Sequence, residues 1–182
     1  MKKVLVPLAP GFEEIEAVTV IDILRRAGVE VTVAGTVPGE IEGRNEIKVT
    51  PDALLDDVAT RRFDMIVLPG GSAGTEQLKK DPRVKQILLE LAAQGGYITA
   101  ICAAPTVLSA VGLLQGKKVT SHPSVQGDLS ETNYSEDRVV VDGRIVTSRS
   151  PGTALEFAMK LVEILEGRSK MEEVNRGVLA RL

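Results

Sequence analysis

The chain has 182 residues, 43% hydrophobic and 26% charged, a size and balance that suit one globular domain whose core needs no covalent staple. A net charge of −3 with acids and bases interleaved, and 3% aromatic residues without Trp, exclude a phosphate-neutralising basic face and a base-stacking platform, so no nucleic-acid partner is expected. No run approaches the ~20 apolar residues of a membrane span, the stretch from Val4 to Ala9 is too short and too soon charged for a secretory leader, and one cysteine closes no intrachain disulfide, so the expected home is cytoplasmic and reducing.

Short apolar runs alternate with amphipathic segments, the pattern of an α/β fold. Val4 to Leu8 predicts a buried strand, and a helix follows from Glu14 to Ala27 with Gly28 as its stop. Val29 to Ala34 predicts a second strand, Ile41 to Thr50 a small hairpin beside the sheet, and Asp52 the cap of a short helix through Val58. Phe63 to Leu68 predicts a third buried strand ending in Pro69-Gly70-Gly71. Asp81-Pro82 pairs an N-cap carboxylate with a first-turn proline, and Val84, Ile87, Leu88 and Leu91 then keep helical spacing as far as Gly95-Gly96. Tyr97 to Ile101 predicts a strand, with a helix directly after Cys102, and Val119 to Ser121 a short strand. Val139 to Val141 and Arg144 to Thr147 flank Asp142-Gly143 as a hairpin with a type I′ turn. Thr153 with Glu156, and Ser169 with Glu172, have capping-box spacing for two last helices. The whole, residues 1–182, is expected to form one domain.

The segment Tyr97-Ile98-Thr99-Ala100-Ile101-Cys102-Ala103-Ala104-Pro105 is the most informative. A strand runs into a cysteine with small residues two positions to either side, and a helix begins without a loop, the pattern of a nucleophile elbow with Cys in place of Ser. A lone cysteine is by composition more often a small buried hydrophobe; here the strand–Cys–helix order favours chemistry. A thiol at a helix N-terminus faces the positive end of the dipole, so the thiolate is expected to be favoured.

Pro69-Gly70-Gly71-Ser72-Ala73-Gly74 lacks the spacing of a phosphate loop or a dinucleotide fingerprint. It reads either as an ordinary glycine turn or as a backbone donor, with the N–H groups of Gly71 and Ala103 forming an oxyanion hole. Glu16 shares a helix face with Val20, Ile23 and Ala27, so its carboxyl is expected to be buried and its pKa raised, whereas Glu13 and Glu14 read as acids that favour the helix start. His122, the one histidine, is the only candidate for a Cys–His pair, and one His with one Cys argues against a zinc site.

Phe12-Glu13-Glu14-Ile15-Glu16, Arg25-Arg26-Ala27-Gly28, Leu68-Pro69-Gly70-Gly71, Ala100-Ile101-Cys102-Ala103-Ala104-Pro105, Ser121-His122-Pro123 and Thr147-Ser148-Arg149-Ser150-Pro151-Gly152-Thr153 occur in this order. Together they resemble the ThiJ/PfpI superfamily, in the branch of the parkinsonism-associated deglycase (Parkinson disease protein 7) and bacterial YajL, over nearly the whole chain. The resemblance implies a flavodoxin-like three-layer sandwich, a mostly parallel sheet with helices on both faces, and a homodimer. It implies Cys102 as an oxidisable nucleophile, Glu16 as its protonated partner, Gly71 and Ala103 N–H groups at the sulfur, and His122 nearby. It also implies Arg44, and Arg26 from the partner subunit, as an anion site at the dimer interface. The stretch from Val125 to Tyr134 is shorter than in animal relatives, and no second thiol is present.

Three functions follow as expectations. The first is a cofactor-independent glyoxalase or deglycase acting on small 2-oxoaldehydes or their early glycation adducts, with Cys102 as nucleophile and Glu16 and His122 moving protons. The second is a non-enzymatic oxidative-stress sensor or chaperone working through oxidation of Cys102. The third is a cysteine amidase or peptidase, which needs an oriented base that no acid residue near His122 in sequence supplies.

Overall fold

The computed structural model describes residues 1–180. Strand β1 (Lys3–Leu8) shows why the sheet forms where it does. Val4, Val6 and Leu8 alternate with Leu5, and the two sets enter different cores, so the strand is covered on both faces. Helix α1 (Glu14–Arg26) then brings the chain back to β2 (Glu30–Gly35), which lies parallel to β1. β3 (Ile41–Glu42) and β4 (Lys48–Val49) form the expected hairpin, an antiparallel pair separate from the main sheet.

Beyond the hairpin come β5 (Ala53–Leu54), α2 (Leu55–Val58), β6 (Met65–Leu68), α3 (Ser72–Lys80), α4 (Pro82–Ala93), β7 (Tyr97–Ile101) and α5 (Pro105–Ala110). β8 (Lys118–Val119) and β9 (Asn133–Tyr134) make a small parallel pair around a 3-10 turn at Pro123–Leu129. β10 (Val139–Asp142), β11 (Ile145–Ser148), α6 (Ala154–Glu166) and α7 (Arg168–Gly177) complete the order. The main sheet has seven strands in the order β10-β11-β7-β6-β1-β2-β5, parallel except at β10–β11. α1 and α6 cover one face through Val20, Leu24, Phe157 and Leu161. α2, α3, α4 and α5 cover the other through Val58, Leu78, Leu88 and Val107. Full burial of such a side chain contributes about 1.5–3 kcal/mol, so the two cores hold the flavodoxin-like sandwich together.

Several local expectations are corrected. Asp52 does not cap α2; its carboxylate accepts from Val33 N–H (2.9 Å) and Arg25 (2.6 Å), tying the β5 edge to β2 and α1. α3 escaped a reading by periodicity because it buries one large apolar side chain, Leu78, and carries Gly74. A Cβ at Gly74 would stand 2.8 Å from Phe12 N, so this helix docks by backbone approach rather than by an apolar stripe. Thr153 does not cap α6 with Glu156: its hydroxyl serves Ser150 and Arg149 in a capping box one turn earlier, and Glu156 pairs with Arg138. Ser169 lies inside α7, whose N-cap is Gly167. In the β10–β11 hairpin Asp142 pairs with Ile145, leaving Gly143–Arg144 as the loop. Only Gly143 has positive φ, +61°, which fits a type II′ turn in place of type I′.

Candidate active site

The chain order of the strands reverses between β1 and β6: β1 leads outward to β2, and β6 leads the other way to β7. Open parallel sheets form their functional crevice at such a reversal, beyond the carboxyl ends of the strands. Here the segments after β1, β6 and β7 bring together residues 9–13, Pro69-Gly70-Gly71 and Cys102.

Cys102 leaves β7 with φ +66°, a left-handed conformation that is strained for a residue with a Cβ and costs on the order of 1–3 kcal/mol. Surrounding bonds hold it there. Its N–H donates to Ser148 O (3.0 Å), its carbonyl accepts from His122 N–H (2.9 Å), and Ala104 N–H donates to Ile101 O (3.1 Å). The elbow is thus real, but α5 begins at Pro105, three residues beyond the cysteine rather than directly after it. The side chain is partly exposed.

Glu16 lies on the first turn of α1 and is fully buried, 0% exposed. Its Oε2 accepts from Gly70 N–H at 2.7 Å. Its Oε1 has no hydrogen bond of ordinary geometry, although the carboxyl sits close enough to the thiol for each to change the other's ionisation. Burial raises the Glu16 pKa from its ordinary 4.5 to about 7, against the opposing effects of the Gly70 N–H, Cys102 and Arg44. The thiol of Cys102 is pushed up to about 12, first by burial and then by the Glu16 carboxylate, although the N–H groups of Ala103 and Gly71 pull the other way. This corrects the expectation from the helix dipole: with α5 starting late, a neighbouring carboxylate and desolvation outweigh it. The two groups share one proton, and a thiolate forms here as that proton moves to Glu16.

The glycines make the close approach possible. A Cβ on Gly70 would fall 2.6 Å from Glu16 Oε2 and 2.8 Å from Cys102 Cβ. Gly71, at φ +90°, would put a Cβ 2.4 Å from Gly11 O. Sequence reasoning singled out Gly71 and missed Gly70, whose N–H holds the carboxyl; the paired glycines after a strand were the available signal.

The other expected residues are placed as follows. The His122 ring is held by Ser124, with Nδ1 2.7 Å from its hydroxyl and 3.2 Å from its N–H, while only the His122 backbone bonds to Cys102. Arg44 stands in the β3–β4 turn, 3.4 Å from Glu13, which is itself 5% exposed. Arg26 closes α1 and pairs with Asp22 at 2.9 Å, beside a groove lined by Val18, Ile23, Leu155 and Val178 and away from the thiol's own contacts. Both arginines expected to receive an anion therefore already face a carboxylate within the chain. Glu14 does not merely favour the helix start; its buried carboxylate accepts from Asn45 N (2.7 Å), Asn45 Nδ2 (2.8 Å) and Ile47 N (3.4 Å). Among the described residues no group of three or more His, Cys, Asp or Glu is gathered to hold a metal ion, and no helix is long and apolar enough to cross a membrane.

Residues 2–164 match the model of the DJ-1/PfpI family. Protein dj-1beta of Drosophila melanogaster is 46% identical over 181 residues, spanning 98% of this chain and 97% of that protein. The glutathione-independent glyoxalase DJR-1.2 of Caenorhabditis elegans is 40% identical over 172 residues, spanning 93% and 91%. The crystal structure of Drosophila melanogaster DJ-1beta superposes with a TM-score of 0.97 at 44% identity, covering 100% of this chain and 99% of that one. With the fold, the ordered motifs and these relatives in agreement over its length, the chain belongs to the DJ-1/PfpI family.

Proposed function

We propose that this chain is a cofactor-independent glyoxalase of the DJ-1 type, acting on small 2-oxoaldehydes or on their early glycation adducts. The observation that carries the reading is the Cys102–Glu16 pair: a partly exposed thiol on a strained elbow beside a buried carboxyl whose pKa is about 7. A group with that pKa gives and takes a proton with little driving force lost in either direction at neutral pH. The name of the Caenorhabditis elegans relative supports the same substrate class.

In this mechanism the proton of Cys102 passes to Glu16 as sulfur adds to the aldehyde carbon of methylglyoxal. The carbonyl electron pair moves to oxygen, which takes up a proton, and a hemithioacetal results. The N–H groups of Gly71 and Ala103 stabilise charge that develops beside the sulfur. The hydrogen on the former aldehyde carbon leaves as a proton to a carboxylate or imidazole, Glu16 or His122, and a proton returns to the adjacent carbon. One carbon is oxidised and its neighbour reduced, so no external oxidant or reductant enters. Water then cleaves the resulting lactoyl thioester, releasing lactate and the thiol. The reading includes a homodimer, which the exposed Ile15 (54%) and Val18 (46%) on α1 support, and in it Arg26 reaches across to the partner's site.

The test is lactate formed from free methylglyoxal over many turnovers in wild type, Cys102→Ser and Glu16→Ala. Sustained turnover that disappears in Cys102→Ser supports the reading, and turnover at the Cys102→Ser background overturns it. A sensor reading then takes its place, since the same two N–H groups and a protonated Glu16 suit a cysteine sulfinate; intact mass after peroxide treatment would show two added oxygens. The amidase reading is the weakest, because Ser124 rather than a carboxylate holds the His122 ring.

A further inference from the structure

The β3–β4 hairpin is two residue pairs long and stands apart from the main sheet. So short a hairpin does not hold itself in place. Its turn also contains a strained residue, Glu46 at φ +67°. What fixes it is the loop after β1 and the start of α1. Gly11 N–H donates to Glu42 O (2.8 Å) and Arg44 N–H to Phe12 O (2.9 Å). The carboxylate of Glu14 takes three donors from Asn45 and Ile47. Gly43 packs directly on that carboxylate, since a Cβ there would stand 2.3 Å from Glu14 Oε1.

The side chain this clamp positions is Arg44. It is more than half exposed, yet it faces Glu13 at 3.4 Å and acts on Glu16 by charge. The titratable or charged groups that act on Glu16 are Cys102 from the elbow, Glu13 from the entry to α1 and Arg44 from the hairpin turn. Arg44 is the one cation of the three, so its placement biases the proton that Cys102 and Glu16 share.

We propose that Glu14 is a positioning residue: by clamping the 43–47 turn it holds Arg44 where its charge acts on Glu16, and so sets the pH at which Cys102 becomes reactive. The proposal rests on the reading of Cys102 and Glu16 as the reactive pair, but not on any substrate. A guanidinium held near Glu16 favours the carboxylate; once the turn is released, the pair keeps its proton to higher pH.

The experiment is the rate of Cys102 alkylation by iodoacetamide as a function of pH, in wild type, Arg44→Leu, Glu14→Gln, Gly43→Ala and the double variant Glu14→Gln/Arg44→Leu. The wild-type rate should rise in a first step with a midpoint near 7, as Glu16 loses its proton and the pair is left with one proton to share, a fraction of it on the carboxyl with the thiolate free to react. Arg44→Leu should move that midpoint up by about half a pH unit, the scale of a partly exposed charge pair. Glu14→Gln and Gly43→Ala should move it the same way, and the double variant no further than Arg44→Leu alone. The sign is diagnostic. Any direct effect of deleting the Glu14 charge would lower the midpoint, while releasing Arg44 raises it, and Gly43→Ala alters no charge. A midpoint unchanged or lowered in folded Glu14→Gln, unchanged in folded Gly43→Ala, unmoved by Arg44→Leu, or additive in the double variant overturns the proposal. Melting temperatures confirm which variants fold, and a structural role alone would lower them without moving the midpoint. Because alkylation needs only the thiol, failure here is separate from failure to form lactate from methylglyoxal.

Discussion

Glu14 and Glu16 lie two residues apart on the first turn of α1, and both are buried, yet their carboxyls are driven in opposite directions. Burial pushes each pKa up. At Glu14 the hydrogen bonds, among them those from Asn45 and Ile47, outweigh burial and hold the group below the ordinary carboxylate range. At Glu16 one N–H, from Gly70, is too little compensation beside a thiol, and the group rises to about 7. The depth of burial and the number of donors reaching the carboxylate together separate an acid that fastens the fold, near the surface with three donors, from one able to trade protons, deep in the protein with one N–H.

The largest expected effect comes from removing the ionisable group on the reactive side of this pair. Glu16→Gln should lower lactate turnover from methylglyoxal by about 100-fold or more, the scale of lost general acid–base help. It should also change the pH dependence of stability. A carboxyl whose folded pKa lies above its ordinary 4.5 stabilises fully below that value, and the contribution is lost as pH rises through about 7. Over that window the loss is about 3 kcal/mol. Urea unfolding should therefore show the variant gaining about 3 kcal/mol on wild type between about pH 4 and about pH 8; a constant difference across that range would mean that Glu16 is not protonated in the folded chain.

Glu14 should behave with the opposite sign and a smaller size. Glu14→Ala leaves the donors of Asn45 and Ile47 without their acceptor, at a cost of about 2 kcal/mol near neutrality, since water reaches the turn. A depressed folded pKa gives stability that is present above the ordinary 4.5 and lost as pH falls through the folded value, so the penalty should shrink toward acid pH. Denaturant midpoints at a series of pH values check this, and a penalty that grows on acidification would contradict the comparison.

The strands β1, β6 and β7 and the helix α4 were legible in the sequence because each carries its own periodicity or cap. The elbow was legible for a related reason: strand, cysteine and small residues are contiguous at 97–105. Glu16 could be marked as buried from its phase with Val20 and Ile23. The partners that decide its chemistry could not, because Gly70 is 54 positions away, and the donors to Glu14 are 31 and 33 positions away. The same blindness produced the wrong direction for the Cys102 thiol. A helix dipole is a local feature that sequence displays, whereas the carboxylate opposing it arrives through the fold. α3 was hidden because glycine contacts hold it against Phe12 and Gly11, and a missing side chain leaves no apolar pattern.

The smallest expected effect tests whether the contrast on α1 is specific. Asp81 is a third carboxylate at a helix start, the N-cap of α4, where it accepts from Arg83 N–H at 2.9 Å and pairs with the Arg83 guanidinium at 2.6 Å. Partial burial opposes its ionisation, but Arg83 prevails and its pKa is lowered, as at Glu14. It differs in what it holds: Arg83 also bonds Asp56 and Thr36 O, none of which is among the groups acting on the Cys102–Glu16 pair. Asp81→Ala should cost about 1 kcal/mol by losing a cap and leave the pH midpoint of Cys102 alkylation at its wild-type value. If it moved that midpoint as far as Glu14→Gln does, loosening anywhere in the fold would suffice to retune the thiol, and the placement of Arg44 would lose its claim to be the cause.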